Sequence, residues 1–353
     1  MKKFILIFQV LILAFSIKVY AQWDEEKPSY EDTLSVYRDL FILEKPLNLT
    51  LTFDIKTFQK TRTQEKYHPA EMTCVVNDSF QVSNPVRVKA RGKNRRDNCN
   101  MPPYWLNIRY SGIQTEQLRG VRRMKVVTQC RNSPVYDDYL LREYLVYKIY
   151  NLITPYSFRV RLVNLKYVDT GRKNKEMSCW GFLIEPDDLL AERLHAKVVK
   201  SNELSMRTVN QKVMDRMAMF NYMIGNGDYS VTGRHNLKIL AMETSGPVGF
   251  VPVPYDFDFT GLVNTVYAKP REELNITSVR ERYYLGPCRS DEDLYREAIT
   301  ELESLRTEIE ELIWNFEYLE EESRLDMIGY IESFFNTAQN ERFIEREVLP
   351  TCK

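Results

Sequence analysis

The apolar residues change their period part-way along this chain, and that change limits the fold more than any single motif does. Leu47-Asn-Leu-Thr-Leu-Thr-Phe-Asp-Ile-Lys alternates apolar and polar side chains, and Val86-Arg-Val-Lys-Ala repeats the pattern. Segments 105–110 and 124–128 follow it less strictly. A period of two is that of half-buried strands. From Tyr136 to Ile153 the spacing becomes helical, with Leu140, Leu141, Tyr144, Leu145, Tyr147 and Ile149 on a broad apolar face. Two strands are expected over 158–168 and 177–184, then a helix over 205–225. Beyond Ser290 two long helical segments are expected, separated near Glu320. The order, β-rich first and helix-rich last with one helix among the strands, predicts an α+β architecture of two lobes.

The ends and the cysteines bear on compartment. Lys2 and Lys3 precede an apolar run over 4–17, and Val19-Tyr20-Ala21 gives a small-residue cleavage pattern. A signal peptide over 1–21 is expected, then an irregular segment over 22–45 with a short helix near 30–43. No later stretch reaches membrane-spanning length, so the product should be exported, periplasmic or extracellular, with no membrane span after cleavage. Cys74, Cys99, Cys130, Cys179, Cys288 and Cys352 make an even set, which favours disulfides in an oxidising compartment. Their spacing does not select the pairing, and two of them could equally stay free and buried. No Cys-x-x-Cys occurs and only three histidines do, which argues against a Cys/His metal site.

Lysine plus arginine and aspartate plus glutamate both total 49. A nucleic-acid-binding chain would show a basic excess, so that class is set aside.

The acidic residues point to chemistry. Asn226-Gly227-Asp228 follows the predicted helix over 205–225, and either Asn226 or Gly227 could serve as its cap. His235-Asn236 then opens a short strand over 237–240. A Gly246-containing turn leads to a second strand over 250–254, which runs into Tyr255-Asp-Phe-Asp-Phe-Thr-Gly261. Two strands joined by a turn bring the entry of the first and the exit of the second to one end of a hairpin. Asp228, Asn236, Asp256 and Asp258 would meet there, with the two aspartates facing one way if the strand continued. Such a donor set suits Mg²⁺, which prefers oxygen ligands and completes its shell with water and phosphate.

These segments resemble the spore-coat protein H (CotH) family of secreted atypical kinases. The similarity lies in Asp228, Asn236 and Tyr255-Asp-Phe-Asp258, taken in order. Upstream it extends to Val88-Lys-Ala-Arg-Gly92, Tyr136-Asp-Asp-Tyr-Leu-Leu-Arg142 and Gly181-Phe-Leu-Ile-Glu185. The resemblance implies a two-lobed kinase-like fold, with a β-rich N-lobe over 46–186 carrying one helix and a helical C-lobe over 187–353. It implies ATP with Mg²⁺ or Mn²⁺ as cofactor and a protein or surface-glycan hydroxyl at the cell envelope as acceptor. Asp228 would be the catalytic aspartate that accepts or orients the substrate hydroxyl, with Asn236 and Asp256 or Asp258 holding the metal. Glu185 would lie beside the adenine. Where the family has a lysine step, this chain has Met101-Pro102-Pro103, so the nucleotide lysine is assigned to Lys125, with Glu143 as its helix partner. Arg91, in the basic loop over 91–99, would contact phosphate. The competing readings are a pseudokinase scaffold, a surface protein with structural Ca²⁺ and a two-carboxylate glycosidase.

Overall fold

The computed structural model describes residues 39–41, 44–77, 80–108, 123–200, 205–243 and 249–353. The expected leader lies outside the described residues, as does most of segment 22–45. From Leu40 onward the chain belongs to one compact unit.

In chain order its regular elements begin with β1 (Leu47–Phe53), α1 (Ile55–Lys60), β2 (His68–Asn77), β3 (Phe80–Ala90) and the one-turn helix α2 (Asn94–Asn98). There follow β4 (Tyr104–Asn107), β5 (Arg123–Thr128), α3 (Pro134–Ile153), β6 (Val160–Asp169), β7 (Lys175–Ile184), α4 (Asp187–Arg193) and β8 (Ala196–Val198). The remainder is α5 (Gln211–Met223), β9 (Leu237–Met242), β10 (Phe250–Pro254), α6 (Asp293–Glu303), α7 (Arg306–Trp314) and α8 (Glu321–Ala338).

The first seven strands close on themselves in the order β1-β2-β3-β4-β5-β7-β6. Every pairing among them is antiparallel except one: β1 runs parallel to β6, with Leu47 opposite Val163 and Phe53 opposite Asp169. That seam removes the sheet edge, which is the physical gain of closure. The alternation along β1 predicts a strand but not a partner more than a hundred residues away.

The expected two-lobed kinase-like fold with a β-sheet lobe is therefore corrected. The β-rich part is a closed mixed barrel of seven strands, accompanied by helices and a separate three-stranded sheet, β10-β9-β8. Two smaller expectations also change. The strand β2, its alternation interrupted by Pro69, was not foreseen, and the helical tail divides into α6, α7 and α8 rather than two segments.

The barrel is filled from alternate positions: Leu49, Leu51, Val88, Tyr104, Leu106, Val126, Leu165 and Tyr167 are all buried in one cluster. A second cluster gathers the apolar faces of α3, α5 and the C-terminal helices, including Leu145, Ile149, Met217, Phe220, Ile331 and Phe334. Disulfides join Cys99 to Cys130 and Cys288 to Cys352, while Cys74 and Cys179 are buried free thiols. The pairings Cys74–Leu49, Leu49–Leu165 and Leu165–Cys179 place those thiols in one row around the barrel. They stand three strand spacings apart, about 14 Å, which is too far for a bond.

Candidate functional site

The acidic centre is assembled where the β9–β10 hairpin opens toward α3. Ile224 caps α5, and the next residue, Gly225, turns the chain with φ +66°. A Cβ at Gly225 would come within 2.3 Å of the Tyr330 hydroxyl and 3.1 Å of the Val279 carbonyl, so the turn requires glycine. The cap thus falls two residues before Asn226, the nearer of the two sites expected from sequence. The Asn226 side chain is spent on the turn: its Nδ2 donates to Asn221 Oδ1 at 2.8 Å, and its Oδ1 accepts from the Asp228 amide at 2.9 Å.

Asp228 emerges from this turn with both carboxylate oxygens engaged. His235 Nε2 lies 3.0 Å from Oδ1, and Asn236 Nδ2 donates to Oδ2 at 2.9 Å and to the Asp228 carbonyl at 2.8 Å. Burial raises the Asp228 carboxyl, His235 opposes that, and the charge of Asp256 adds to it. Asn236 has φ +52°, and its carbonyl accepts the Tyr255 amide at 2.9 Å. That bond extends the β9–β10 pairing of Leu237 with Pro254 by one step. The hairpin thereby brings Asp256 near enough for its charge to act on Asp228, two segments separated in sequence by β9 and β10.

Asp256 and Asp258 meet a common neighbour, though not by the continued strand that the sequence suggests. The strand ends at Pro254, and Asp256 turns into the left-handed region with φ +66°. Its amide donates to the Tyr147 hydroxyl of α3 at 2.8 Å. Both carboxylates then reach Arg95 of α2: Asp256 Oδ1 is 2.8 Å from Nη2, and Asp258 Oδ2 is 3.2 Å from Nε. Glu143 of α3 closes the group, accepting from Arg95 Nη1 at 3.0 Å and Nη2 at 3.2 Å. One ligand oxygen from each of Glu143, Asp256 and Asp258 lies within 4.8 Å of the others. Burial drives the carboxyls of Asp258 and Glu143 upward. For Asp256 burial acts the same way, but Arg95 and Arg91 outweigh it and hold the group low. Arg95 is the cation that offsets the mutual repulsion of these three carboxyl groups. Tyr267 also donates to Asp258 Oδ2 at 3.2 Å.

The pairing expected between Lys125 and Glu143 is not formed, because Arg95 takes Glu143. Lys125, buried on β5, donates instead to Asp187 Oδ1 at 2.8 Å, and Lys238 holds Asp187 Oδ2 at 2.9 Å. The Lys125 ammonium lies 4.8 Å above the Tyr255 ring and 5.0 Å above Phe158. Burial pulls it down to about 8. Its charge still reaches Asp256, helping to keep that carboxyl ionised. A cavity of about 790 Å³ opens alongside, lined among others by Trp105, Arg123, Asp187, Arg234, Lys238 and Tyr255. A second cavity of about 760 Å³, around Lys148, Glu308 and Phe316, shares none of these residues.

Glu185 and Arg91 take different parts. Glu185 is buried, with Arg193 Nε and Nη2 each at 2.9 Å and the Arg159 amide at 3.1 Å. It ties β7 to α4 through Arg193. Arg91 donates its backbone amide to the Pro103 carbonyl and lays its guanidinium over Trp105 at 5.6 Å, close enough to lower Asp256.

Sequence reading missed Arg95, Asp187, Lys238, Tyr147 and Tyr267. Arg95 sat within a basic loop already noted, but nothing in the loop distinguishes the arginine that turns inward. No family model matches the chain, and no curated protein matches it. One solved structure, of the Helicobacter pylori proinflammatory kinase CtkA, is similar at TM-score 0.38 and 13% identity, covering 70% of this chain and 90% of that one. Likeness at that level carries nothing over to this chain. The spore-coat protein H resemblance accordingly rests on the motifs quoted above.

Proposed function

We propose that this chain binds a divalent-metal nucleotide and transfers its terminal phosphoryl group to a hydroxyl of a protein or surface glycan. The observation that supports this most directly is that Asp228 is bonded to Asn236 at the entry of one hairpin while Asp256 stands at its exit, near a cavity edged by Lys238 and by Asp187, the partner of Lys125. Phosphoryl transfer asks for positioning and charge compensation more than for covalent chemistry, and these are the residue types that provide both.

The donor set fits a hard cation. Its atoms are carboxylate and amide oxygens, and the place among Asp256, Asp258 and Glu143 is one that a cationic guanidinium already finds favourable. Asn236 and Asp256 would hold Mg²⁺ or Mn²⁺, with Asp258 as the further carboxylate. The metal, when bound, would offset the charge on the nucleotide phosphates.

Asp228 would orient the acceptor hydroxyl. As the acceptor oxygen bonds to the terminal phosphorus and the bond to the bridging oxygen breaks, the hydroxyl proton passes to Asp228 and the nucleoside diphosphate leaves. His235 and Asn236 fix that carboxylate in one orientation. Lys125 and Lys238 would draw the phosphates toward the cavity, exchanging Asp187 for phosphate oxygens. Two disulfides and the absence, among the described residues, of any helix long and apolar enough to cross a membrane are compatible with work outside the cytoplasm.

Binding without turnover is the second reading, favoured by Arg95 already occupying the Asp256 carboxylate. Thermal melting of the full chain with ATP and Mg²⁺ or Mn²⁺ tests both, since a ligand of the folded state raises Tm. A shift that Asp256→Ala abolishes, with phosphate incorporation lost in Asp228→Asn, supports transfer. A shift without incorporation supports binding alone. No shift in the parent protein removes both.

A further inference from the structure

Arg95 lies on a short strap that is tied at its far end by a disulfide and joined to the acidic centre chiefly through Arg95 itself. The helix α2 has a single turn, too short to persist by its own hydrogen bonds. On one side it follows Gly92, which has φ +78° and open space where a side chain would be. On the other it runs into Cys99, bonded to Cys130, and Asn100 donates to the Cys130 carbonyl at 2.9 Å. Arg62 adds contacts to the carbonyls of Asp97 and Cys99. Arg95 is the residue by which the strap enters the protein: its side chain is 10% exposed and ion-paired to Glu143, Asp256 and Asp258, carboxylates from two other segments.

That position conflicts with a metal. A divalent ion taking Asp256 would stand within a few ångströms of a buried guanidinium, and like charges in a low-dielectric site repel strongly. The guanidinium also uses an Asp256 oxygen that the ion needs. We propose that Arg95 is an intramolecular cation that keeps the acidic centre closed, and that the metal–nucleotide enters only when α2 withdraws it. Gly92 is the hinge, and the Cys99–Cys130 bond is the leash that limits how far the strap can swing. The proposal rests on the phosphoryl-transfer reading and adds to it a gate that is part of the chain.

The test is Mn²⁺ binding to the full-length chain by calorimetry, comparing wild type with Arg95→Gln, Arg95→Lys and the paired Cys99→Ser, Cys130→Ser variant. Removing the internal charge should tighten Mn²⁺ binding by about tenfold or more, since even one modest charge interaction is worth that much. Arg95→Lys should fall between, keeping the charge but not the fork. Without Mn²⁺, Arg95→Gln should melt below wild type, because three carboxylates lose their partner, and Mn²⁺ should restore it. The cysteine variant keeps Arg95 but frees the strap: amide exchange over 93–99 should quicken and Mn²⁺ should bind more tightly than in wild type. It decides the matter if Arg95→Gln does not fold. Equal or weaker Mn²⁺ binding in the variants overturns the gate and leaves the phosphoryl-transfer reading standing. No Mn²⁺ binding by any of the proteins overturns both.

Discussion

The Tyr147 hydroxyl, on α3, accepts the backbone N–H of Asp256 at 2.8 Å, and through that bond a helix of the main core sets the backbone of the acidic centre. Asp256 is held in the left-handed region, which a non-glycine residue adopts only when its surroundings over-determine it. Tyr147 is one such constraint. Its ring packs edge-on against Phe257 at 4.8 Å and so fixes the next residue as well.

Tyr147→Phe should therefore cost more than a surface hydroxyl. The variant leaves a half-buried amide without its partner, a loss of about 0.5–1.5 kcal/mol, with the ring packing retained. Urea unfolding should show the loss, and any stabilisation by Mn²⁺–ATP should shrink with it. A variant as stable as wild type would mean that another acceptor replaces the hydroxyl.

Lys125 gives stability a dependence on alkaline pH. Burial lowers its ammonium to about 8 from 10.5. Between those values the unfolded chain holds a proton that the folded chain has released, so stability rises with pH across that window. Below about 8 both states are protonated and the cost of the buried charge stands in full. Lys125→Met removes the titration, so wild type should gain on the variant as pH climbs from 8 to 10.5. A pH-independent difference in unfolding free energy would contradict this.

Gly225→Ala tests the turn that delivers Asp228. The new methyl meets the Tyr330 hydroxyl and the Val279 carbonyl in a left-handed conformation, and the strain should cost about 1–3 kcal/mol. Pairing it with Tyr330→Phe removes the hydroxyl and should recover part of the loss. Full additivity in that double-mutant cycle would show that the two groups do not meet.

The Cys288–Cys352 bond closes a loop of 64 residues around α6, α7 and α8. Replacing both cysteines by serine should lower stability by about 2–4 kcal/mol, read as a fall in the denaturant midpoint. An unchanged midpoint would mean that the helices alone define that end of the chain.

What the sequence makes legible is local. The alternation at Leu47, Leu49, Leu51 and Phe53 predicts β1, and all four are buried. The helical spacing from Leu140 to Ile149 predicts α3, and the hairpin with Asn236 at its entry and Tyr255 at its exit follows from the strand pattern. Pairing over distance is not legible. Nothing in the β1 sequence names β6 as a parallel neighbour, and that seam makes the expected β-rich lobe a closed barrel. Ion pairs fail for the same reason. Lys125 and Glu143 are the right types to meet, yet their partners are Asp187 and Arg95, decided by where α4 and α2 happen to lie. Charges on polar loops carry no period that would show which of them turns inward.

The parallel seam also bears on how the chain is made. During synthesis β1 emerges long before residues 163–169, its partner across the seam. Until those residues appear, one side of the nascent strand is met only by water and stays open to other strands, and slow long-range pairing of this kind exposes a chain to association with others. The ribosome must therefore release more than a hundred further residues before this polypeptide can seal itself. In that interval a holding chaperone has most to protect.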